Sequence, residues 1–175
     1  MNTQTADSAF IRACRRQQVS SAPVWYMRQA GRSLPEYRAT RAGTAMLDAT
    51  SNPDLITEIT LQPVRRYGVD AAILFSDIMV PLRAVGIGVE LRPGVGPVID
   101  VPVGTDRDIA RLGDLDQGSI PYIAKAINAL VAELGGTPLI GFAGGRRHFS
   151  ANRPDDTPPE ILGNWPGPCQ HRKRA

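Results

Sequence analysis

The sequence of 175 residues contains little cysteine and little histidine. Cys14 and Cys169 lie far apart in segments of different composition, which excludes a disulfide framework and a cysteine-based zinc pattern. His148 and His171 have no ligand-like neighbours, so we expect no metal site there. No apolar run approaches the ~20 residues that a membrane-spanning helix needs. These shortages argue against a disulfide-stapled, a zinc-stabilised or an integral membrane protein.

Signals for export and for phosphate binding are also missing. Residues 1–10 lack the basic-then-apolar layout of a signal peptide, so we expect a cytoplasmic protein. The glycine pairs at 86–88 and 94–96 lack the third glycine and the following helix of a phosphate loop, and they predict turns instead. No internal repeat is present. A hydrophobic content of 42% is enough for the core of one ordinary domain.

The net charge of +3 is confined to the last part of the chain. Residues 145–175 contain six basic and three acidic residues, an excess that equals the charge of the whole chain. The same segment holds five prolines and no sustained apolar period, which predicts a disordered, Pro- and Arg-rich tail. The tail contains no interleaved aromatics, so we expect a solvated segment and no nucleic-acid partner, although contacts with phosphates stay an alternative.

Residues 1–144 show the alternation of an α/β protein. Apolar runs at 24–27, 70–75 and 138–142 predict buried strands of a parallel sheet. A helix is predicted from a Ser51 cap through Arg66, with Gly68 ending it, and a second from Pro121 to Gly135. The stretch 89–103 is broken by Pro-Gly and Gly-Pro pairs and predicts a hairpin excursion.

Two arginines follow the first predicted strand. Arg28 and Arg32 are separated by small residues, and Gly31 is expected to let a loop turn tightly so that both guanidinium groups point at one anionic ligand. The alternative is a solvated loop whose arginines form ion pairs with Glu36 or Asp77.

Asp77 follows the second predicted strand. A carboxylate at the C-terminal end of a parallel strand lies where α/β proteins place their active sites, and there it can accept N–H groups or stabilise a developing cation. The alternative is an aspartate that caps the following turn.

Two long motifs in this region resemble a known family. Residues 27–38, MRQAGRSLPEYR, resemble the N-terminal signature of uroporphyrinogen decarboxylases, and residues 61–78, LQPVRRYGVDAAILFSDI, resemble the second hallmark of that family. The likeness runs from about Asp7 to Gly144. It implies a (β/α)₈ TIM barrel, of which residues 1–144 supply about the first three β/α units.

The resemblance also implies an activity. The family removes carbon dioxide from the four acetate side chains of uroporphyrinogen III to give coproporphyrinogen III in haem biosynthesis, without metal or organic cofactor and commonly as a homodimer. Arg28 and Arg32 match its carboxylate-binding arginines, and Gln29, Ala30 and Gly31 belong to the same substrate-binding segment. Asp77 matches the central aspartate that accepts the pyrrole N–H groups.

The sequence departs from the family after Gly144. Family members continue with Ala-Pro-Phe-Thr and about as much chain again, whereas Gly145 begins a segment without similarity that looks like a frameshift. We therefore expect this chain alone to be inactive. Two alternatives stay open: a corrinoid-dependent methyltransferase of the same superfamily, and a non-catalytic product that binds a partner chain or nucleic acid.

Overall fold

The computed structural model describes residues 3–92, 94–113, 115 and 117–141, with backbone but not side chains for residues 3, 4, 28–30 and 117. The described residues all belong to the first of two units, 1–144 and 145–175, into which the chain divides. The predicted tail lies outside them.

The described chain alternates short elements with two long helices. The helices are α1 Thr3–Ala6, α2 Ala9–Cys14, α3 Pro35–Arg41, α4 Met46–Ala49, α5 Pro53–Tyr67, α6 Val80–Ala84, α7 Asp106–Ile109 and α8 Pro121–Leu134. The strands are β1 Ala72–Ile73, β2 Val89–Arg92, β3 Gly96–Ile99 and β4 Leu139–Ile140, and two 3₁₀ helices span Arg28–Ser33 and Gln117–Ser119. No helix within this part of the chain is long and apolar enough to cross a bilayer.

Two of the three predicted strands pair as expected. β1 and β4 are parallel, with Ala72 opposite Leu139 and Ile73 opposite Ile140. The β1 strand is shorter than the apolar run that contains it, although Ala71, Ala72, Leu74 and Phe75 are all buried. The predicted hairpin is confirmed as the antiparallel pair of β2 and β3.

The first predicted strand is wrong. Val24, Trp25, Tyr26 and Met27 form no strand, and all four side chains are exposed, with Trp25 39% and Met27 64% exposed. The segment is attached at one end, where the Asp70 N–H donates to the Val24 carbonyl (2.8 Å) and the Val24 N–H donates to Asp70 Oδ2 (2.7 Å). The Trp25 and Tyr26 backbones form no hydrogen bond with any described residue, so no sheet surrounds them here.

The prediction of α5 is correct in the extent and the C-terminal end of the helix, but not in its N-terminal cap. Gly68 ends it in the left-handed region at φ 60°, which suits glycine. The cap is Asn52, whose Oδ1 accepts the N–H groups of Asp54 and Leu55. The Ser51 hydroxyl donates to the Leu47 carbonyl of α4 and accepts no N–H of α5 among the described bonds.

The core lies between α5, α8 and the β1–β4 pair. Ala126, Leu130 and Leu134 repeat every four residues and bury one stripe of α8, whereas Val131 on the same helix is 58% exposed. The Phe75 side chain is fully buried, and its ring meets that of Tyr37 edge to face at 6.3 Å. This packing holds α3 and the C-terminal end of β1 against the same core.

Candidate functional site

The arginine-containing segment is a 3₁₀ helix spanning Arg28–Ser33, where the sequence predicts a loop. The flanking residues Met27 and Leu34 are extended, and the Leu34 N–H donates to the Gly31 carbonyl. The backbone turns tightly at Gly31 as expected, within the 3₁₀ helix and with a φ that is not positive. Gly31 is buried, and a Cβ on it would lie 3.7 Å from Pro63 Cγ, which is ordinary contact distance. The segment therefore lies close to α5 at Gly31, with space for a Cβ at that position.

Arg32 is an exposed cation at the end of this 3₁₀ helix. Neither of the expected ion pairs is present for Arg32, because Glu36 pairs with Arg66 and Asp77 has no arginine partner among the described side chains. The side chains of Arg28, Gln29 and Ala30 lie outside the described part of the structure. The Arg32 guanidinium therefore faces solvent, where an anionic ligand can reach it.

The two signature motifs are joined across α3 and α5. Arg66 donates through Nη1 to both carboxylate oxygens of Glu36, at 2.9 and 3.1 Å. A hydrogen bond from its own backbone N–H and the contact with Arg66 hold the pKa of Glu36 below its ordinary value. Gln62 Nε2 donates to Thr40 Oγ1 at 3.0 Å. With the Gly31 contact at Pro63, these bonds fix the arginine segment against α5.

Gln62 was not predicted by sequence reasoning as an important residue. Its side chain is buried, and its Oε1 has no hydrogen-bond partner within the described part of the chain. A signal for it exists in the sequence, since a long polar side chain stands between Leu61 and Pro63 on a largely apolar helix. A buried amide of this kind usually holds neighbouring elements together through hydrogen bonds.

Asp77 follows the buried end of β1. Its Oδ1 accepts the Met79 N–H at 2.9 Å, so the capping alternative holds for one carboxylate oxygen. Oδ2 accepts no hydrogen bond from any residue the structure describes. The carboxylate is half-buried and has one oxygen available to a ligand.

The backbone before Asp77 is fixed by a helix side chain. The Thr60 hydroxyl donates to the Ile56 carbonyl (2.7 Å) and accepts the Phe75 N–H (2.9 Å). The Leu74 N–H is the last to pair with β4, through the Ile140 carbonyl, and the Phe75 N–H on the other side of the backbone is bound to α5. The sequence contains no local signal for the bond between Thr60 and Phe75, because the two residues are 15 positions apart.

Other features of the described residues lie apart from this site. No group of three or more His, Cys, Asp or Glu side chains in the described ranges is arranged to hold a metal ion, and both histidines lie outside those ranges. An open pocket of about 260 Å³ is lined by residues of α4, α6 and β2, including Met46, Asp48 and Arg83. It contains neither Arg32 nor Asp77.

Comparison with solved structures supports the barrel class. A methyltransferase from Methanosarcina mazei superposes with a TM-score of 0.54 at 19% sequence identity, covering 81% of this chain and 42% of that one. At this identity the likeness concerns the fold alone. The chain thus has an α/β fold of the (β/α)₈ class and forms one part of such a barrel.

Sequence comparisons agree on one family. The family model for uroporphyrinogen decarboxylase matches residues 5–146. Proteins named uroporphyrinogen decarboxylase from Streptomyces griseus and Thermobifida fusca are 64% and 63% identical over 140 and 142 residues. These matches cover 80% and 79% of this chain but 38% of each relative, so the chain spans about two fifths of their length. The chain belongs to the uroporphyrinogen decarboxylase family.

Proposed function

We propose that this chain forms the first part of a uroporphyrinogen decarboxylase, a carboxy-lyase that converts uroporphyrinogen III to coproporphyrinogen III in porphyrin and haem biosynthesis. The observation that carries the proposal is the pairing of the two signature motifs through Glu36–Arg66, supported by the bond from Gln62 to Thr40 just after the first motif. The high identity to relatives that carry this name supports it.

Substrate binding is assigned to the segment Arg28–Arg32. The substrate carries eight carboxylates, and a guanidinium group can bind a carboxylate through two parallel hydrogen bonds. Arg32 is exposed and has no ion pair with Glu36 or Asp77, so neither of these two carboxylates competes with a substrate carboxylate for its guanidinium group. Arg28 is assigned the same role, with Gln29, Ala30 and Gly31 as the binding backbone between the two arginines.

The chemical step is assigned to the electronics of the substrate and to Asp77. A pyrrole protonated on the ring accepts the electron pair of the breaking C–C bond, and carbon dioxide leaves. A second proton then converts the exocyclic methylene to a methyl group, and the ring loses the proton that it first gained, so that one proton is consumed for each carbon dioxide released. Asp77 Oδ2 accepts pyrrole N–H groups and stabilises the positive charge as it develops. The Met79 N–H on Oδ1 fixes the orientation of the carboxylate. No metal or organic cofactor enters this scheme.

The proposal also includes the substrate, the assembly state and the cellular location of the enzyme. The small-molecule substrate is uroporphyrinogen III, the assembly is a homodimer in the cytoplasm, and neither a membrane nor nucleic acid takes part. The chain by itself is expected to be inactive, because the matched region is about two fifths of a relative. The methyltransferase alternative gains no support from a likeness at 19% identity, and the relatives' names do not favour a non-catalytic role.

A chimera tests the proposal. Residues 1–144 of this chain replace the matched region of the Streptomyces griseus relative, and coproporphyrin is measured by chromatography after anaerobic incubation with uroporphyrinogen III. We expect turnover by the chimera and a loss of about 10²–10³ in kcat for Asp77→Asn, because the developing cation loses its charged partner. The exposed Asp48→Asn serves as the control and should change little. A folded chimera without turnover contradicts the proposal.

A further inference from the structure

The exposed apolar segment Val24–Met27, hereafter the apolar segment, has no role in the proposed chemistry. Its four consecutive side chains are between 39% and 64% exposed. Each of the four side chains is thus left partly open to solvent. A run of this kind is typical of a strand that is buried on both sides of a parallel sheet.

The apolar segment already lies beside the sheet at one end. Val24 and Asp70 exchange two hydrogen bonds just before β1, and the ring of Tyr26 meets that of Tyr67 edge to face at 5.3 Å. The Trp25 and Tyr26 backbone groups form no hydrogen bond within the described part of the chain. The segment is therefore held in place while its backbone still has donors and acceptors for a neighbouring strand.

The barrel fold indicates which neighbour fits. In a closed (β/α)₈ barrel every strand pairs on both edges, and the first strand meets the last. The curated relatives carry about three fifths of their length outside the matched region. That length is available for the further β/α units that closure requires, and in a barrel of this class the last strand runs parallel to the first.

We propose that the apolar segment is the docking surface for the β/α units that the relatives carry beyond the matched region, and that this chain binds those units when they are supplied as a separate polypeptide. On binding, the segment becomes a strand paired on both edges, and its side chains are buried. The proposal rests on the barrel fold and not on the proposed decarboxylation.

Fluorescence of Trp25 reports the docking directly. The full chain carries Trp165→Phe, so that Trp25 is the sole tryptophan, and the second polypeptide is the part of the Streptomyces griseus relative that follows the matched region, with its tryptophans replaced by phenylalanine. We expect a 1:1 complex by light scattering and a shift of Trp25 emission to shorter wavelength on titration. The shift follows because an exposed indole leaves water.

Matched variants locate the surface. Met27→Asp places a carboxylate in the docked segment and should weaken the dissociation constant about tenfold or more. Val131→Asp alters an equally exposed apolar residue on α8 and should change it by less than about twofold. Both positions are exposed in the chain alone, so circular dichroism of both variants should match the parent.

Three results overturn the proposal: no complex, a complex that both variants weaken equally, or an emission shift that follows the concentration of this chain alone, which identifies a second copy as the occupant. Decarboxylation is assayed separately on the same complex. A 1:1 complex without turnover leaves the docking surface intact and counts against the proposed function. If the chimera turns over substrate but the separate polypeptides form no complex, the docking proposal is contradicted and the proposed function is supported.

Discussion

Two apolar runs of the chain have different environments. Residues 71–75 are mostly buried between α5 and α8 and pair with β4, whereas residues 24–27 are exposed and attached mainly through Val24. Both runs are short, apolar and rich in strand-forming residues. The difference lies in their neighbours, because the first run has helices and a strand within the described chain to pack against. An apolar run thus predicts a tendency to be buried, and the presence of partners decides whether it is.

The comparison is tested most strongly by removing one large ring from each run. Phe75→Ala should lower the free energy of unfolding by about 3–5 kcal/mol, because a fully buried ring leaves a cavity beside Tyr37. Trp25→Ala should lower it by clearly less, because 39% of that residue is exposed and its removal opens no enclosed cavity. Urea unfolding of the two variants checks this, and equal losses would show that the two runs do not differ in burial.

The Thr60 hydroxyl, which binds the buried run at Phe75, gives the next largest effect. Thr60→Val keeps the shape but leaves the buried Phe75 N–H without its acceptor, and should cost about 1–3 kcal/mol. Thr57→Val on the same helix removes a similar bond, to the Pro53 carbonyl, without a second partner, and should cost less. Hydrogen exchange at Phe75 should accelerate in the first variant alone. Unchanged exchange there would remove Thr60 from this role.

The attachment of the exposed run gives a smaller effect. Asp70→Ala removes the carboxylate that accepts the Val24 N–H and should cost about 0.5–1.5 kcal/mol while raising exchange at Val24. Asp70→Asn keeps an acceptor oxygen and should retain most of the protection. If both variants exchange at the parent rate, the segment is held by something other than Asp70.

The smallest effect is a dependence of stability on pH. The folded state lowers the pKa of Glu36, so its contribution is complete above the pKa of an unfolded glutamate and is lost as the pH falls through the folded value. The stability difference between the parent and Glu36→Gln should therefore shrink on acidification. An Arg66→Gln background should keep part of this dependence, because the backbone N–H of Glu36 is the largest cause. A difference that grows at low pH contradicts the assignment.

Local signals explain what the sequence predicted correctly. Gly68, Pro121 and Gly135 mark helix ends, and the glycines around 94–96 mark the hairpin, because these residues act through their own backbone conformation. The helix α5 is capped by Asn52 rather than by Ser51, because the backbone at Asn52 leaves α4 and the Ser51 side chain turns back to the Leu47 carbonyl. That arrangement depends on the neighbouring helix and is not visible in the capping pattern.

The site was predicted less completely, for a related reason. The order of the residues places Asp77 after a buried strand, and its turn-capping contact follows from its own position. The partner of Glu36, by contrast, is Arg66, 30 positions away, and the buried bond from Gln62 to Thr40 spans 22 positions. Such pairs arise only when α3 packs on α5. Motif spacing therefore located the charged residues but not the contacts that hold them.

The bond between Thr60 and Phe75 has a consequence for how the strand and the residues after it can vary. The hydroxyl of a helix residue binds the Phe75 N–H, which points away from β4, and so anchors the chain to α5 directly after its last bond to β4. Ser76 and Asp77 lie outside the strand and are not bound by the two-residue alternation that governs side-chain direction in a sheet. An engineer who lengthens the turn after Phe75 can reposition the carboxylate without shifting the register of β1 against β4.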